Sequence, residues 1–418
     1  MRTSSPEKPD DGVLIDQKWI FIGVLTIIYY VLFQTIYKMP YTATLLYFEY
    51  ASHIMDGDLP YRDFNLEYPP LALVFFLLPR LFTTVYPTYV MVYKVEVFIC
   101  MLIGLMVIYR SAARLRQAPW KVMSVYTLGI LAVGPIIAEQ YDLFPAILVL
   151  SAIYRFWTGR YKSGWMFLAL GTMTKGYPLL IAPIFMIHHL RGRQYRRIVS
   201  GAVIFMGTCL AVLLPFLLAD PSSLMSLIEY HSQRGIQIES TYGALLLAAH
   251  KMGLITIKLA FDHGSWNITG PAAEILAAWS TFIMAALLLA GYGLIYRSLR
   301  AGEPEITRIG TYTGLIITIT LIASKILSPQ YLIWLIPVIP LFFDSWRFII
   351  CLAFLLTGAC TYIVFPVHYM ELMDFKPGVI TMLCIRDCLL IFFGVLIAVS
   401  LRYRLRIRVA LSPRNASV

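Results

Sequence analysis

Four carboxylates fall within a twelve-residue stretch of this chain: Asp56, Asp58, Asp63 and Glu67. Arg62 sits among them, and Tyr61 and Tyr68 flank them. Pro60, Pro69 and Pro70 stiffen the backbone on either side. A general base must be held at fixed geometry against the hydroxyl it deprotonates, and prolines with neighbouring tyrosines supply such a frame. The same residues also describe a solvated acidic loop, so spacing alone leaves both readings open.

A second set is cationic. Lys175 lies in Thr174-Lys175-Gly176-Tyr177-Pro178, between two apolar stretches. A lysine near mid-bilayer costs about 3 kcal/mol or more unless it is paired or solvated. It is therefore either half of a structural ion pair or an anion site, such as one for a lipid phosphate. Glu139 and Asp142 flank a tight turn, and His231, Arg234, Gln237 and Glu239 share a long loop. Lys325, Ser328 and Gln330 mark a helix end. Arginine and lysine suit a phosphate, the first as a bidentate donor and the second as a point charge. His231, His250 and His263 show no HxH or HExxH spacing, so no metal site and no cofactor are expected. The six cysteines show no CxxC spacing and read as small buried residues.

The elements that must position these groups are membrane helices. The 418 residues are 59% hydrophobic and 14% charged, where a soluble chain carries about a quarter charged residues. Long apolar runs without strand alternation predict an all-α, polytopic transmembrane bundle of about 12 membrane segments, because a helix satisfies its own backbone in hydrocarbon. The net charge of +11 does not point to nucleic acid, since Lys and Arg cluster in short loops: 110–121, 155–162, 191–197, 297–308 and 402–414. Those loops read as cytoplasmic, as do both termini, which puts the acidic stretch on the outer face of a plasma membrane. The expected organisation is a tail over 1–18, a transmembrane domain over 19–401 with outer loops 38–68 and 219–271, and a basic tail over 402–418. The first residues lack the compact basic start of a cleaved signal peptide. Crossings are expected at 19–37, 87–108, 122–138, 143–157, 198–218, 273–296, 309–326, 331–343, 346–365 and 379–401. A surface helix is predicted over 42–55, ended by Asp56-Gly57. The segment 71–86, with Pro79 and Arg80, is expected to dip without crossing. Residues 164–190 lie between basic loops, and their 27 residues give about 40 Å of helix where two crossings need about 60 Å. They are expected to form a short hairpin with Lys175 at its buried tip.

The run Gly57-x-x-Pro60-Tyr61-Arg62-Asp63-Phe64-x-x-Glu67-Tyr68-Pro69-Pro70-Leu71 resembles the first outer loop of GT-C membrane glycosyltransferases of family 87, the polyprenyl-phosphate-mannose-dependent mannosyltransferases and their relatives. Tyr141-Asp142-Leu143-Phe144-Pro145, Lys175-Gly176-Tyr177-Pro178, Arg234-Gly235-x-Gln237-x-Glu239-Ser240 and Lys325-x-x-Ser328-Pro329-Gln330-Tyr331 follow in the family's order. The resemblance implies inverting, metal-independent transfer of a hexose, most often mannose, from a polyprenyl-phosphate-linked donor. The acceptor would be a glycolipid, glycan or protein at the outer face. The family's base is an aspartate ahead of the surface helix, and counting back from Tyr47 places it at Ala43. The role then passes to Asp63 by preference, with Asp58 and Glu67 as the other catalytic candidates. Lys175, Arg234 and Lys325 would hold the donor phosphate. Arg62, Tyr61, Tyr68, Asp142, His231, Glu239 and Gln330 would contact substrate. The readings from other classes are a transporter or lipid flippase, and a relative that binds lipid-linked sugar without turning it over. Only one interrupted hairpin is visible, where transporters often show two.

Overall fold

The computed structural model describes residues 11–36, 43–220, 225, 230, 232–299, 306–342 and 347–410. Among them, six helices are long and apolar enough to cross a bilayer: Tyr86–Leu115, Tyr195–Ala219, Pro271–Ser298, Ile306–Ala323, Arg347–Val367 and Pro377–Leu401. Shorter apolar helices at Trp19–Leu32, Pro119–Val133, Leu143–Trp157 and Pro329–Leu341 fill in the bundle. The chain is a multi-pass membrane protein.

The N-terminal half runs α1 (Asp11–Ile36), α2 (Ala43–Met55), α3 (Ala72–Arg80), α4 (Tyr86–Leu115), α5 (Pro119–Val133), α6 (Ile136–Glu139), α7 (Leu143–Trp157), α8 (Tyr161–Thr174), α9 (Ala182–Arg191) and α10 (Tyr195–Ala219). The surface helix expected over 42–55 is α2. The expected dip is α3, only 9 residues long. Arg80 at its end reaches back to α2, with Nε 3.3 Å from Ser52 Oγ and the guanidinium 5.5 Å from the Phe48 ring.

The expected buried hairpin is α8, a 3-10 turn over Tyr177–Ile181, and α9. At 14 and 10 residues, its helices are about 21 and 15 Å long, too short to cross. Arg197 lies 4.4 Å from the Tyr161 ring, so the loops entering and leaving the hairpin share one face. α7 and α8 pack antiparallel at close range. A β-carbon on Gly164 of α8 would sit 3.2 Å from Ala152 O of α7.

Two features depart from the expectation. Residues 331–343 were expected to cross as a helix, but they form buried 3-10 turns over Pro329–Leu335 and Ile339–Leu341. Pro329, Pro337 and Pro340 remove the amide donors a continuous α-helix needs. The second is a three-stranded antiparallel sheet in the long loop after α10, ordered β1 (Ile236–Gln237), β3 (Ser265–Thr269), β2 (Lys258–Asp262). It has its own small core, where Ile236, Ile238, Leu247 and Ile268 meet Leu372, Val379 and Leu383 of the C-terminal region.

Candidate active site

The polar residues gather at the ends of α7 and α8 farthest from the arginine-rich turns. Asp142 precedes α7 and Lys175 follows α8, so each charge complements the dipole of the helix it adjoins. Lys175 Nζ lies 2.6 Å from Asp142 Oδ1, and Trp334 Nε1 donates to the same oxygen at 2.6 Å. The ammonium also faces the rings of Tyr141, Tyr331 and Trp334 at 4.7, 4.9 and 5.6 Å. Trp334 is stacked between Tyr177 at 4.0 Å and Tyr331 at 4.3 Å. Of the two readings of Lys175, the ion pair is the one the geometry displays. Its charge is answered inside the protein, while Asp142 Oδ2 is buried without a hydrogen-bond partner. A second buried pair, Lys94 with Glu139 at 3.1 Å, secures the other end of the same turn.

The acidic stretch divides into a rim and an inner residue. Asp63, the preferred base, is engaged at the exposed rim. Arg62 donates to both of its oxygens at 2.9 Å, and the Leu59 amide donates at 2.8 Å. The Arg62 hydrogen bond, then that amide, holds its carboxyl below the usual carboxylate range, which makes it a weaker base. Asp58 is 2.7 Å from His53 Nδ1, also exposed. Tyr61 is buried in a left-handed conformation (φ 69°) and donates to Tyr68 O at 2.5 Å. Tyr68 meets the Tyr141 ring edge-on at 4.8 Å. Glu67 points inward, and Tyr230 Oη donates to its Oε2 at 2.9 Å.

Two cations come to the region of Tyr230, Arg234 from the second long loop and Lys325 from just beyond the helix Ile309–Ala323. Arg234 is buried, with its guanidinium 5.8 Å from the Tyr230 ring and one nitrogen donating to Ser265 Oγ at 3.1 Å. Lys325 Nζ donates to Ser232 O at 3.0 Å. Burial, and then the neighbouring Arg234 charge, push its pKa below the ordinary lysine value. Among the described residues no carboxylate pairs with Arg234 or Lys325. The sheet fixes both: β1 pairs with β3 two residues after Arg234, and the Gln237 amide donates to Lys325 O at 3.0 Å.

Glu239, expected to touch substrate, lies beneath this surface. Gln237 Nε2 donates to it at 2.9 Å, and Arg386 donates to its backbone carbonyl. Burial pushes its carboxyl up to about 7. Gln330 is half-buried and precedes Tyr331 of the lysine cage. His231 lies outside the described residues. Among the described residues no group of three or more His, Cys, Asp and Glu side chains could hold a metal ion.

Sequence reasoning missed Trp334, Tyr230 and the β2–β3 turn. The turn did leave a signal: Asp262-His263-Gly264-Ser265, with apolar alternation on both sides, is a two-residue hairpin pattern. His263 and Gly264 both have positive φ, 49° and 67°, as a type I′ turn requires. Tyr230 and Trp334 carry no comparable local mark.

The sequence of residues 66–324 matches the profile of Glycosyltransferase family 87. Among solved structures, the fold is similar to the crystal structure of ArnT from Cupriavidus metallidurans in the apo state. The match has a TM-score of 0.51 at 11% identity and covers 93% of this chain and 77% of that one. At that identity the likeness is one of fold, and the fold is the GT-C bundle expected from the sequence. No curated protein matches the sequence closely enough to add a relative.

Proposed function

The chain belongs to glycosyltransferase family 87, and on that premise we propose that it moves a hexose, with mannose the first candidate, from a polyprenyl-phosphate donor to an acceptor at the outer face of the membrane. One observation carries the reading: Arg234 and Lys325, two cations without a carboxylate partner among the described residues, adjoin the inward carboxylate Glu67 through Tyr230. A phosphate supplies the anion that such a pair lacks, and Glu67 supplies the base.

In this mechanism the donor phosphate rests on Arg234 and Lys325, and Glu67 takes the proton of the acceptor hydroxyl. The acceptor oxygen bonds to the anomeric carbon while the bond from that carbon to the phosphate oxygen breaks on the opposite face. The configuration inverts, the proton stays on Glu67, and polyprenyl phosphate leaves with its charge on the two cations. Fixed cationic donors aimed at developing charge are the strongest kind of rate support available in a shielded site. Lys175 and Asp142 hold the floor beneath, and Asp142 Oδ2 is left to accept from a sugar hydroxyl. Because the cations meet the leaving charge, chelators are expected to leave the rate unchanged.

The test is incubation of the purified protein with labelled polyprenyl-phosphate mannose and a membrane glycolipid extract. Transfer, or slow hydrolysis of the donor, is the expected result. Movement of label across a vesicle membrane without chemistry would show a transporter instead. A second reading has one residue in its favour: Ala43, where the family carries its aspartate, opens α2 with a methyl group. Tight donor binding with no turnover would establish that reading, a sugar-lipid binder.

A further inference from the structure

The tip of the β2–β3 hairpin reaches across to the acidic stretch. A β-carbon on Gly264 would lie 3.4 Å from Tyr230 Oη and 3.8 Å from each Glu67 oxygen, so the turn backbone is packed under the carboxylate. The His263 ring meets the Tyr230 ring edge-on at 5.0 Å. Asp262 meets the histidine at its backbone and beside its ring. Its Oδ1 accepts the His263 amide at 2.8 Å, and its Oδ2 lies 2.7 Å from Nδ1.

The residue type at this turn position is informative. The first central residue of a type I′ turn has positive φ, and Asn, Asp or Gly fills it at low cost. A histidine at φ 49° takes the left-handed backbone that Asn, Asp and His enter more readily than other side chains, so what distinguishes this residue is what its ring touches. The side chain here is largely covered, with 17% exposed, while that of its partner Asp262 is 63% exposed. The ring is thus directed inward at Tyr230, with the Asp262 carboxylate on its outer side.

We propose that Asp262 and His263 form the positioning element of the catalytic base. The imidazole braces Tyr230, and the Tyr230 hydroxyl orients Glu67 toward the acceptor. This rests on the reading of Glu67 as base. His263 touches no reacting atom and acts through Tyr230. The second outer loop thereby aims a carboxylate that belongs to the first, and Gly264 leaves room for it.

A double-mutant cycle tests this. In the purified full-length protein, His263→Ala is expected to lower kcat about tenfold with donor KM unchanged, and Tyr230→Phe to do likewise. Combining the two is expected to lower kcat by little more than either alone, because the histidine acts through the phenol. His263→Phe keeps a ring against Tyr230 but loses the atom beside Asp262, and is expected to restore part of the lost rate. Gly264→Ala, which pushes a methyl toward Glu67, is expected to lower kcat without a shift in donor KM. Effects of His263→Ala and Tyr230→Phe that multiply would overturn the proposal, as would a His263→Ala enzyme at full rate. Thermal midpoints of each variant separate misfolding from mispositioning: a drop in kcat that tracks the midpoint across the series counts against the brace. Glu67→Gln distinguishes the two levels. Full transfer by that variant removes the base assignment itself, whereas coupling between His263 and Tyr230 stands or falls on the cycle.

Discussion

Lys175 and Arg234 are both cations sunk into the protein, and their surroundings treat them in opposite ways. Lys175 has a carboxylate at 2.6 Å, three rings around its ammonium, and a tryptophan sharing its counter-charge. Arg234 has a tyrosine ring, one serine hydroxyl and a second cation, Lys325, close enough to depress that lysine's pKa. Removing one partner of a buried ion pair costs about 3 to 5 kcal/mol because a bare charge is left behind. The first cation is spared that cost by Asp142, whereas the second meets no carboxylate among the described residues. Depth in the bundle therefore marks a lysine as unusual without making it a ligand site. What marks a candidate ligand site is a buried cation that meets no carboxylate among the described residues.

The sharpest break of this contrast starts at the base between the two regions. Glu67→Gln should cut transfer by about 10² to 10⁴, the usual contribution of a general base. Asp63→Asn, which removes only the rim partner of Arg62, should cost far less in the same labelled-donor assay. The reverse ranking would return the base to the rim. Next in size is the phosphate contact. Arg234→Gln should raise donor KM about tenfold or more, and Lys325→Gln should raise it less, because a charge-assisted hydrogen bond contributes about 1.5 to 3 kcal/mol and Lys325 is the more exposed of the two. Lys175 should behave differently in kind. Asp142→Asn, which strands the lysine, should lower the thermal midpoint steeply. Lys175→Met combined with Asp142→Asn should recover part of that loss, since a pair removed together leaves no bare charge. A Lys175→Met variant whose defect lies in donor KM and not in stability would erase the distinction between the regions.

Much of the frame was legible before any coordinates. The stretch 143–157 has the bounds of α7, because Asp142 before it and Thr158 after it bracket a run that is apolar but for Ser151 and Arg155. The hairpin around Lys175 followed from arithmetic: basic turns on both sides and too few residues for two crossings. The segment 331–343 departs from a helix because apolar composition dictates burial but not helicity, and Pro337 and Pro340 break it into 3-10 turns. The site was legible as residue types and not as partnerships. Asp142 and Lys175 were both named, yet 33 positions of sequence separate them, and only the antiparallel packing of α7 on α8 brings them together. Glu67 and Tyr230 are 163 positions apart, and no spacing rule reaches that far. Asp63 looked best held because the prolines surround it. The loop instead uses that rigidity to close Arg62 onto Asp63, and Glu67 four residues on is the carboxylate that faces inward.

The smallest expected effect probes how the cation region is supported from below. Glu239 is buried beside Gln237, whose Nε2 donates both to Glu239 and to Ser328. Burial raises its carboxyl from the ordinary 4.5 to about 7, against the opposing pull of Arg386 and Gln237. A carboxyl whose pKa is raised by folding favours the folded state in its protonated form. Its contribution is thus fully present below about pH 4.5 and is lost as the pH climbs through about 7. Other ionisable groups near it are Arg386, Asp387 beside that arginine, and Tyr369. The thermal midpoint of the detergent-solubilised protein should fall between pH 5 and pH 8, and Glu239→Gln, neutral throughout, should flatten that slope. Parallel slopes for the two proteins would mean that another group carries the titration. A flattened slope with donor KM unmoved would place Glu239 in the scaffold of the proposed phosphate site, one layer below Arg234 and Lys325.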